Sequence, residues 1–78
     1  MKTYPAANPF CWAVTGCPER PVAALLTPSE DLKAVYTTLV CERHARMYLA
    51  RLMQGEEHRI RTLTPDEIER VRIYEEKK

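Results

Sequence analysis

Two stretches of this 78-residue chain, 21–27 and 34–40, are rich in apolar and β-branched residues. The second is also rich in β-branched and aromatic residues, which predicts a β-strand. Its two faces would carry alternating sets of residues, Val35, Thr37 and Leu39 on one and Tyr36, Thr38 and Val40 on the other. Residues 28–33 between them are polar and begin with proline, which is typical of a turn. The pattern therefore predicts a β-hairpin, and a single helical turn capped by Ser29 is an alternative form of its connection.

A different period follows the hairpin. From Glu42 onward, apolar residues recur at spacings of three and four, which predicts an amphipathic helix. Gly55 is placed to end this helix just beyond its last apolar residue. His44 lies at the edge of the predicted apolar face, which consists of Ala45, Tyr48, Leu49, Leu52 and Met53.

The strongest helix-start signal lies near residue 65. Thr64 is placed to cap the helix, Pro65 to occupy its first position, and Glu67 to complete a capping box. Leu63 and Ile68 have the spacing of a hydrophobic staple, and the helix is expected to extend to about Glu76.

About twelve residues are marginal as an isolated helix, so the apolar residues of this second helix must pack on something. One possibility is that the helix folds back onto Tyr48, Leu52 and Met53 of the first helix. The alternative is that it docks on a partner protein. Its apolar residues are Ile68, Val71 and Tyr74.

Length and charge allow one small domain. Lysine and arginine number 12 against 11 aspartates and glutamates, for a formal charge of +1, so no global field attracts nucleic acid or a membrane. No stretch approaches the roughly 20 apolar residues of a membrane span. The first residues lack the apolar run of a secretory leader, so a reducing, cytoplasmic location is expected.

Four residues suited to binding a metal lie between positions 11 and 44. All three cysteines of the chain, Cys11, Cys17 and Cys41, fall in this stretch, and His44 follows Cys41 at the spacing Cys-x-x-His. Three thiolates and one imidazole are the ligands of a tetrahedral structural zinc site. An odd number of cysteines also disfavours a closed set of disulfides.

The spacing within this set departs from the commonest pattern in one place. Five residues separate Cys11 from Cys17, whereas two to four are usual in zinc sites. Gly16 directly before Cys17 allows the tight turn that directs peptide N–H groups at a thiolate. The alternatives are three incidental buried cysteines with a surface histidine, or the use of His58 as a substitute ligand.

The order of these residues resembles a treble-clef zinc finger, in which a ligand-bearing turn, a hairpin and a helix follow one another. The chain is similar to small Cys-Cys-Cys-His finger proteins of bacteria and their phages. The resemblance implies a zinc-stabilised α+β domain and leaves the function open, because such fingers bind DNA, RNA or proteins, or occur in nucleases. It rests on Cys11, Gly16-Cys17-Pro18, Arg20-Pro21 and the segment from Val40 to Ala45.

On this basis we expect three parts. Residues 1–9 form an extended lead-in, residues 10–55 the finger, and residues 56–78 a C-terminal arm with a helix over about 65–76. One structural zinc ion is the expected cofactor.

Catalysis is not expected. The hairpin contains no histidine to act as the general base of a His-Asn-His nuclease, and the chain has no glycine-rich phosphate loop. Hydrolysis with Glu42 as base would require the release of a zinc ligand. We therefore expect neither an enzyme nor a small-molecule substrate.

Two binding roles remain. The first is docking on a protein of a nucleic-acid machinery, as a small regulator or adaptor, because the tail helix and Met47 beside arginines have the composition of an interface. The second is direct binding of DNA or RNA through arginines, which the acidic residues of the tail disfavour. The candidate contact residues for either role are Arg43, Arg46, Arg51, Arg59 and Arg61.

Overall fold

A computed structural model describes residues 2–12, 17–52, 54–55 and 59–77. Within them the chain forms a small α+β fold with one four-stranded sheet and two helices. The strands are β1 (Lys2–Tyr4), β2 (Pro21–Ser29), β3 (Ala34–Cys41) and β4 (Arg59–Thr62), and the helices are α1 (Glu42–Leu52) and α2 (Pro65–Lys77).

The predicted hairpin is the centre of the sheet. The strand order is β1-β3-β2-β4, with β2 antiparallel to both β3 and β4 and with β1 parallel to β3. Ser29 pairs with Ala34, so it belongs to β2 and does not cap a helical turn. The connecting turn includes Lys33 at a positive φ of 50°. The hairpin prediction is therefore confirmed, with a shorter turn than expected.

The two helices cover opposite faces of this sheet. Ala23, Leu25 and Val40 face α1 and pack with Ala45, Tyr48 and Ile60. The neighbouring residues Ala24 and Leu39 point to the other face, where they pack with Ala6, Leu63 and Val71. Because successive side chains of a strand alternate between faces, one short hairpin serves both layers. The result is a three-layer arrangement of helix, sheet and helix.

Helix α1 begins at Glu42, as predicted, and ends at Leu52. The turn that follows contains Gly55, which has a φ of 95° and whose backbone N–H donates to the carbonyl of Leu52. Its buried face is narrower than the periodicity indicated. Ala45 and Tyr48 pack on the sheet, but Leu49 is 54% exposed. Met53 lies outside the described residues.

Helix α2 begins with the predicted capping box. Thr64 N–H donates to Glu67 Oε1 at 2.9 Å, and Glu67 N–H donates to Thr64 Oγ1 at 3.3 Å. Val71 is buried, whereas Ile68 is 49% exposed. The expectation that this helix folds back onto α1 is wrong, because the sheet lies between them and Val71 packs on the face opposite α1.

The strands β1 and β4 were not predicted. The segment of β4, Arg-Ile-Arg-Thr, has only one apolar residue, and its strand form comes from pairing with β2 between Ala23 and Leu26. Strand β1 lies in the expected lead-in and pairs with the start of β3. Neither described helix has the length and apolar character needed to cross a bilayer.

Candidate metal centre

Strand β3, helix α1 and the segment between β1 and β2 bring the predicted ligands to one end of the sheet. Cys41 is the last residue of β3, and His44 lies in the first turn of α1. Cys17 precedes β2, whose first residue pairs with Cys41. Cys11 lies in the segment between β1 and β2, where the next residue, Trp12, donates its N–H to the carbonyl of Leu39 at 3.0 Å.

The ligand atoms converge on one point. His44 Nδ1 lies 3.5 Å from Cys11 Sγ, 3.7 Å from Cys17 Sγ and 3.1 Å from Cys41 Sγ. All four ligand atoms lie within 4.8 Å of one another. Tetrahedral zinc, with bonds of about 2.3 Å to sulfur and 2.0 Å to nitrogen, places neighbouring S and N ligands about 3.5 Å apart. The residues therefore fit a single tetrahedral ion.

The cluster is shielded and contains no disulfide. Cys11, Cys41 and His44 are buried, Cys17 is half-buried, and none of the three cysteines forms a disulfide. Without a metal, two buried thiols, one half-buried thiol and an imidazole would depend on weak S–H hydrogen bonds to one another, which is a costly arrangement for buried polar groups. A bound cation removes this cost, because it converts the thiols into thiolates that it neutralises in part.

Local hydrogen bonds favour the thiolate form. A backbone hydrogen bond from Glu19 is the main factor that lowers the pKa of Cys17, and the nearby thiols of Cys11 and Cys41 and the charge of Arg43 act in the same direction. The backbone N–H of Cys41 also donates to Cys11 Sγ at 3.3 Å. Backbone N–H groups directed at sulfur stabilise the negative charge that metal binding requires.

Helix α2 contacts both flanks of the ligand-bearing segment. The ring of Phe10, next to Cys11, lies 5.5 Å from the ring of Tyr74. Beyond Cys17, Arg20 pairs with Glu75 at 3.4 Å. The tail helix thus packs beside the metal site as well as on the sheet. Two residues weighed from the sequence, Gly16 and His58, lie outside the described residues.

The five candidate arginines are not gathered on one surface. Arg43 and Arg46 line the same depression at the start of α1, and Arg46 also pairs with Glu42 at 2.7 Å. Arg51 lies over the ring of Tyr48, 5.6 Å from its centroid. Arg59 is exposed on β4. Partner contact by these residues stays a prediction.

Arg61 differs from the other four. Its guanidinium donates two hydrogen bonds to the carboxylate of Glu67, at 2.6 and 3.0 Å, and the Glu67 side chain is only 10% exposed. This pair joins β4 to the start of α2. The sequence offers a weak signal for it, because Glu67 was already identified as the third residue of a capping box.

Sequence reasoning did not single out Arg20 and Val22 as surface residues. The register of β2 against β3 shifts between Pro21 and Ala23, so Val22 occupies a β-bulge and is 49% exposed. A bulge re-aims side chains locally, and alternation within the strand does not reveal it.

No protein-family model, no curated protein and no solved structure matches this chain. The candidate metal centre therefore rests on the chemistry and geometry of its own residues.

Proposed function

We propose that this chain is a non-enzymatic interaction module, stabilised by one zinc ion, that docks on a protein of a nucleic-acid machinery. In this proposal the ligand turn, hairpin and α1 form a treble-clef-like finger. The observation that carries it is the cluster of three sulfurs and one imidazole nitrogen within 4.8 Å. Four protein ligands complete a tetrahedron, so the metal has no open position for a substrate or a catalytic water.

Because a structural metal takes no part in a reaction, the function of such a module lies in the surface that the metal stabilises. Formation of the site fixes the start of α1, and its outward side displays Arg43 and Arg46, with Met47 41% exposed beside them. Arginine and methionine are enriched in protein interfaces. A role in transcription, replication or recombination, in a reducing compartment such as the cytoplasm, suits a small zinc module with such a surface.

The second candidate function is direct binding of DNA or RNA by the same helix. It is favoured by the arginines along α1, Arg43, Arg46 and Arg51, since guanidinium groups contact phosphates and base edges. Two carboxylates, Glu19 and Glu42, lie beside Arg43 and Arg46. They weaken the attraction for a phosphate backbone, so protein docking is the first proposal.

The metal is tested by native mass spectrometry of the purified protein before and after treatment with a chelator. We expect a mass excess of one zinc ion that is lost together with the folded charge-state distribution. A protein that binds no metal and stays folded after chelation contradicts the proposal.

The binding role is tested by crosslinking the zinc-loaded protein in extract of its own organism, with and without nuclease, followed by mass spectrometry. A specific protein partner that persists after nuclease treatment supports docking. A signal that nuclease abolishes, together with direct binding of purified oligonucleotide, supports the second candidate. The double variant Arg43→Glu, Arg46→Glu should lose the partner, whether protein or nucleic acid, and Lys33→Glu in the hairpin turn is the control for charge reversal elsewhere on the surface.

A further inference from the structure

Two surface depressions meet at the beginning of β2. One lies toward α1 and includes Arg43 and Arg46. The other lies toward α2 and includes Leu63 and Ile68. Arg20 and Val22 line both. We call the joint surface the interhelix groove and define it by these six residues.

The groove follows a strand edge that the sheet does not cover. Strand β4 pairs with β2 from Ala23 to Leu26, so its register does not extend to Val22. The bulge at Val22 leaves this side chain 49% exposed, and Ile68 on the other wall is equally exposed. The uncovered stretch is short and Pro21 has no N–H to donate, so a ligand here is held mainly by side-chain contacts. An extended peptide can supply them on both walls, because its successive side chains point to opposite sides.

The charged residues of the groove are available to a ligand. Arg46 pairs with Glu42 and Arg20 with Glu75, but these side chains are between 40% and 78% exposed. Exposed ion pairs contribute little free energy and exchange readily with other partners. The buried pair of Arg61 with Glu67 is different, since its carboxylate is only 10% exposed.

The mixture of groups in the groove favours a peptide over a nucleic acid. The charge of the groove, with Glu19 and Glu42 beside Arg43 and Arg46, acts on phosphates and carboxylates alike, so the apolar wall decides between the two kinds of ligand. Val22, Leu63 and Ile68 offer apolar surface that a sugar-phosphate backbone does not use. A ligand with separate carboxylates and apolar side chains satisfies both halves of the groove.

We propose that the interhelix groove binds an extended acidic segment of a partner protein, in which glutamate or aspartate alternates with large apolar residues. The apolar side chains contact Val22, Leu63 and Ile68, and the carboxylates contact Arg20, Arg43 and Arg46. This inference rests on the proposed docking function and names the surface and the chemistry of the partner.

The test is an NMR titration of the full-length, ¹⁵N-labelled, zinc-loaded protein with an octapeptide of alternating glutamate and leucine. We expect saturable changes in the amide signals of the groove. The same peptide with lysine in place of glutamate should give none. The proposal is overturned if the acidic peptide produces no saturable change at these residues, or if a single-stranded or duplex oligonucleotide binds there more tightly than the peptide.

Two groove variants and two matched controls localise the binding. Val22→Ser and Arg43→Glu should each lower the affinity for the peptide by about tenfold, as expected for the loss of a central apolar or charged contact. Leu32→Ser and Lys33→Glu lie in the hairpin turn, where Leu32 is 66% exposed, and should bind as the parent does. Equal losses in the controls, or no loss in the groove variants, contradict the assignment. Circular dichroism of each variant establishes that the fold is retained.

The outcome is separable from that of the docking function itself. Suppose that the peptide does not bind the parent protein, but the Val22→Ser and Arg43→Glu variants still crosslink to a nuclease-resistant protein partner. The assignment of the interhelix groove is then wrong, and the proposed docking function stands. If no protein partner is crosslinked by the parent protein but the acidic peptide binds the groove, the surface is correct and the assignment to a nucleic-acid machinery fails.

Discussion

Helices α1 and α2 lie on opposite faces of one sheet and are fixed there by different kinds of interaction. The first turn of α1 carries two of the four candidate metal ligands, Cys41 at its edge and His44 within it. Helix α2 carries none of them; the Arg61–Glu67 pair and Val71 join it to the sheet, and a capping box fixes its first turn. Helix α1 thus combines the candidate metal site with the apolar contacts of Ala45 and Tyr48, whereas α2 is held by hydrogen bonds and apolar contact alone.

The difference also appears in charge. Helix α1 contains three arginines and one glutamate, whereas α2 contains five acidic residues against Arg70, Arg72 and Lys77. Several acidic residues of α2 are paired within the molecule, Glu67 with Arg61 in a largely buried contact and Glu69 with Arg72 in an exposed one. The arginines of α1 are exposed. The face beside the candidate metal site is therefore the one with positive charge available for partners.

The largest loss of stability is expected when a candidate metal ligand is removed. Cys41→Ser removes a ligand, and binding of structural zinc contributes roughly 10 kcal/mol or more in small domains. We expect loss of the native circular dichroism spectrum and no recovery with added zinc. The parent protein stripped by a chelator is the control, since zinc should restore its spectrum. A Cys41→Ser protein that keeps its fold and melting temperature would show that the cluster is an ordinary core.

A smaller effect is expected for the apolar contact of α2. Val71 is 2% exposed, and Val71→Ala should lower the free energy of unfolding by about 2 kcal/mol, through lost burial and the cavity left behind. Ile73 on the same helix is 38% exposed, so Ile73→Ala is the control and should cost much less. Chemical denaturation of the zinc-loaded proteins measures both. Equal costs would mean that α2 is not packed through Val71.

Glu67→Gln tests the polar contacts of α2. The Arg61 guanidinium, followed by the Thr64 N–H, lowers the pKa of Glu67, and removal of the carboxylate charge should cost about 1–2 kcal/mol near pH 7. Glu69→Gln, in an exposed pair with Arg72, is the control and should leave the unfolding midpoint nearly unchanged.

The stability difference between the parent and the Glu67→Gln variant should also depend on pH. Because the folded-state pKa of Glu67 is lowered, its stabilisation is fully present above the unfolded-state pKa of about 4.3 and is lost as the pH falls through the folded-state pKa. The difference in stability between the parent and Glu67→Gln should therefore shrink as the solution is acidified. Loss of metal in acid affects both proteins alike, so the difference isolates the carboxylate. A difference independent of pH would contradict this assignment.

The smallest effect is expected for Arg46→Ala. The Arg46–Glu42 pair is 2.7 Å long, but its side chains are 78% and 70% exposed, so the free energy of unfolding should change by less than about 0.5 kcal/mol. The same substitution should measurably lower the affinity for the acidic octapeptide. A large loss of stability would mean that this pair supports α1.

The elements that were predicted from the sequence are those fixed by local patterns. Apolar composition identified β2, alternation identified β3, and the Thr64–Glu67 box identified the start of α2, because each signal lies within a few adjacent residues. The ligand set was found by residue type, since few other arrangements use three cysteines and a histidine at this spacing.

The rest depends on contacts between distant residues. Strand β4 has two arginines in four positions and takes its form from β2. The same pairing places Arg61 opposite Ala24, on the face of α2, where Glu67 binds it. The position of α2 opposite α1 follows from which face of the sheet remained open, and the local sequence of α2 does not encode it.

The packing of Ala6 against α2 has a consequence for the order of events during synthesis. Arg70 donates to the carbonyl of Ala6, a contact that spans 64 residues, so this side of the core forms only after α2 has emerged from the ribosome. The metal ligands are all available once His44 has emerged. The candidate metal site and the hairpin can therefore form in a nascent chain while the other face of its sheet is still bare. During that interval, Ala24 and Leu39 are the apolar surface that a chaperone would meet.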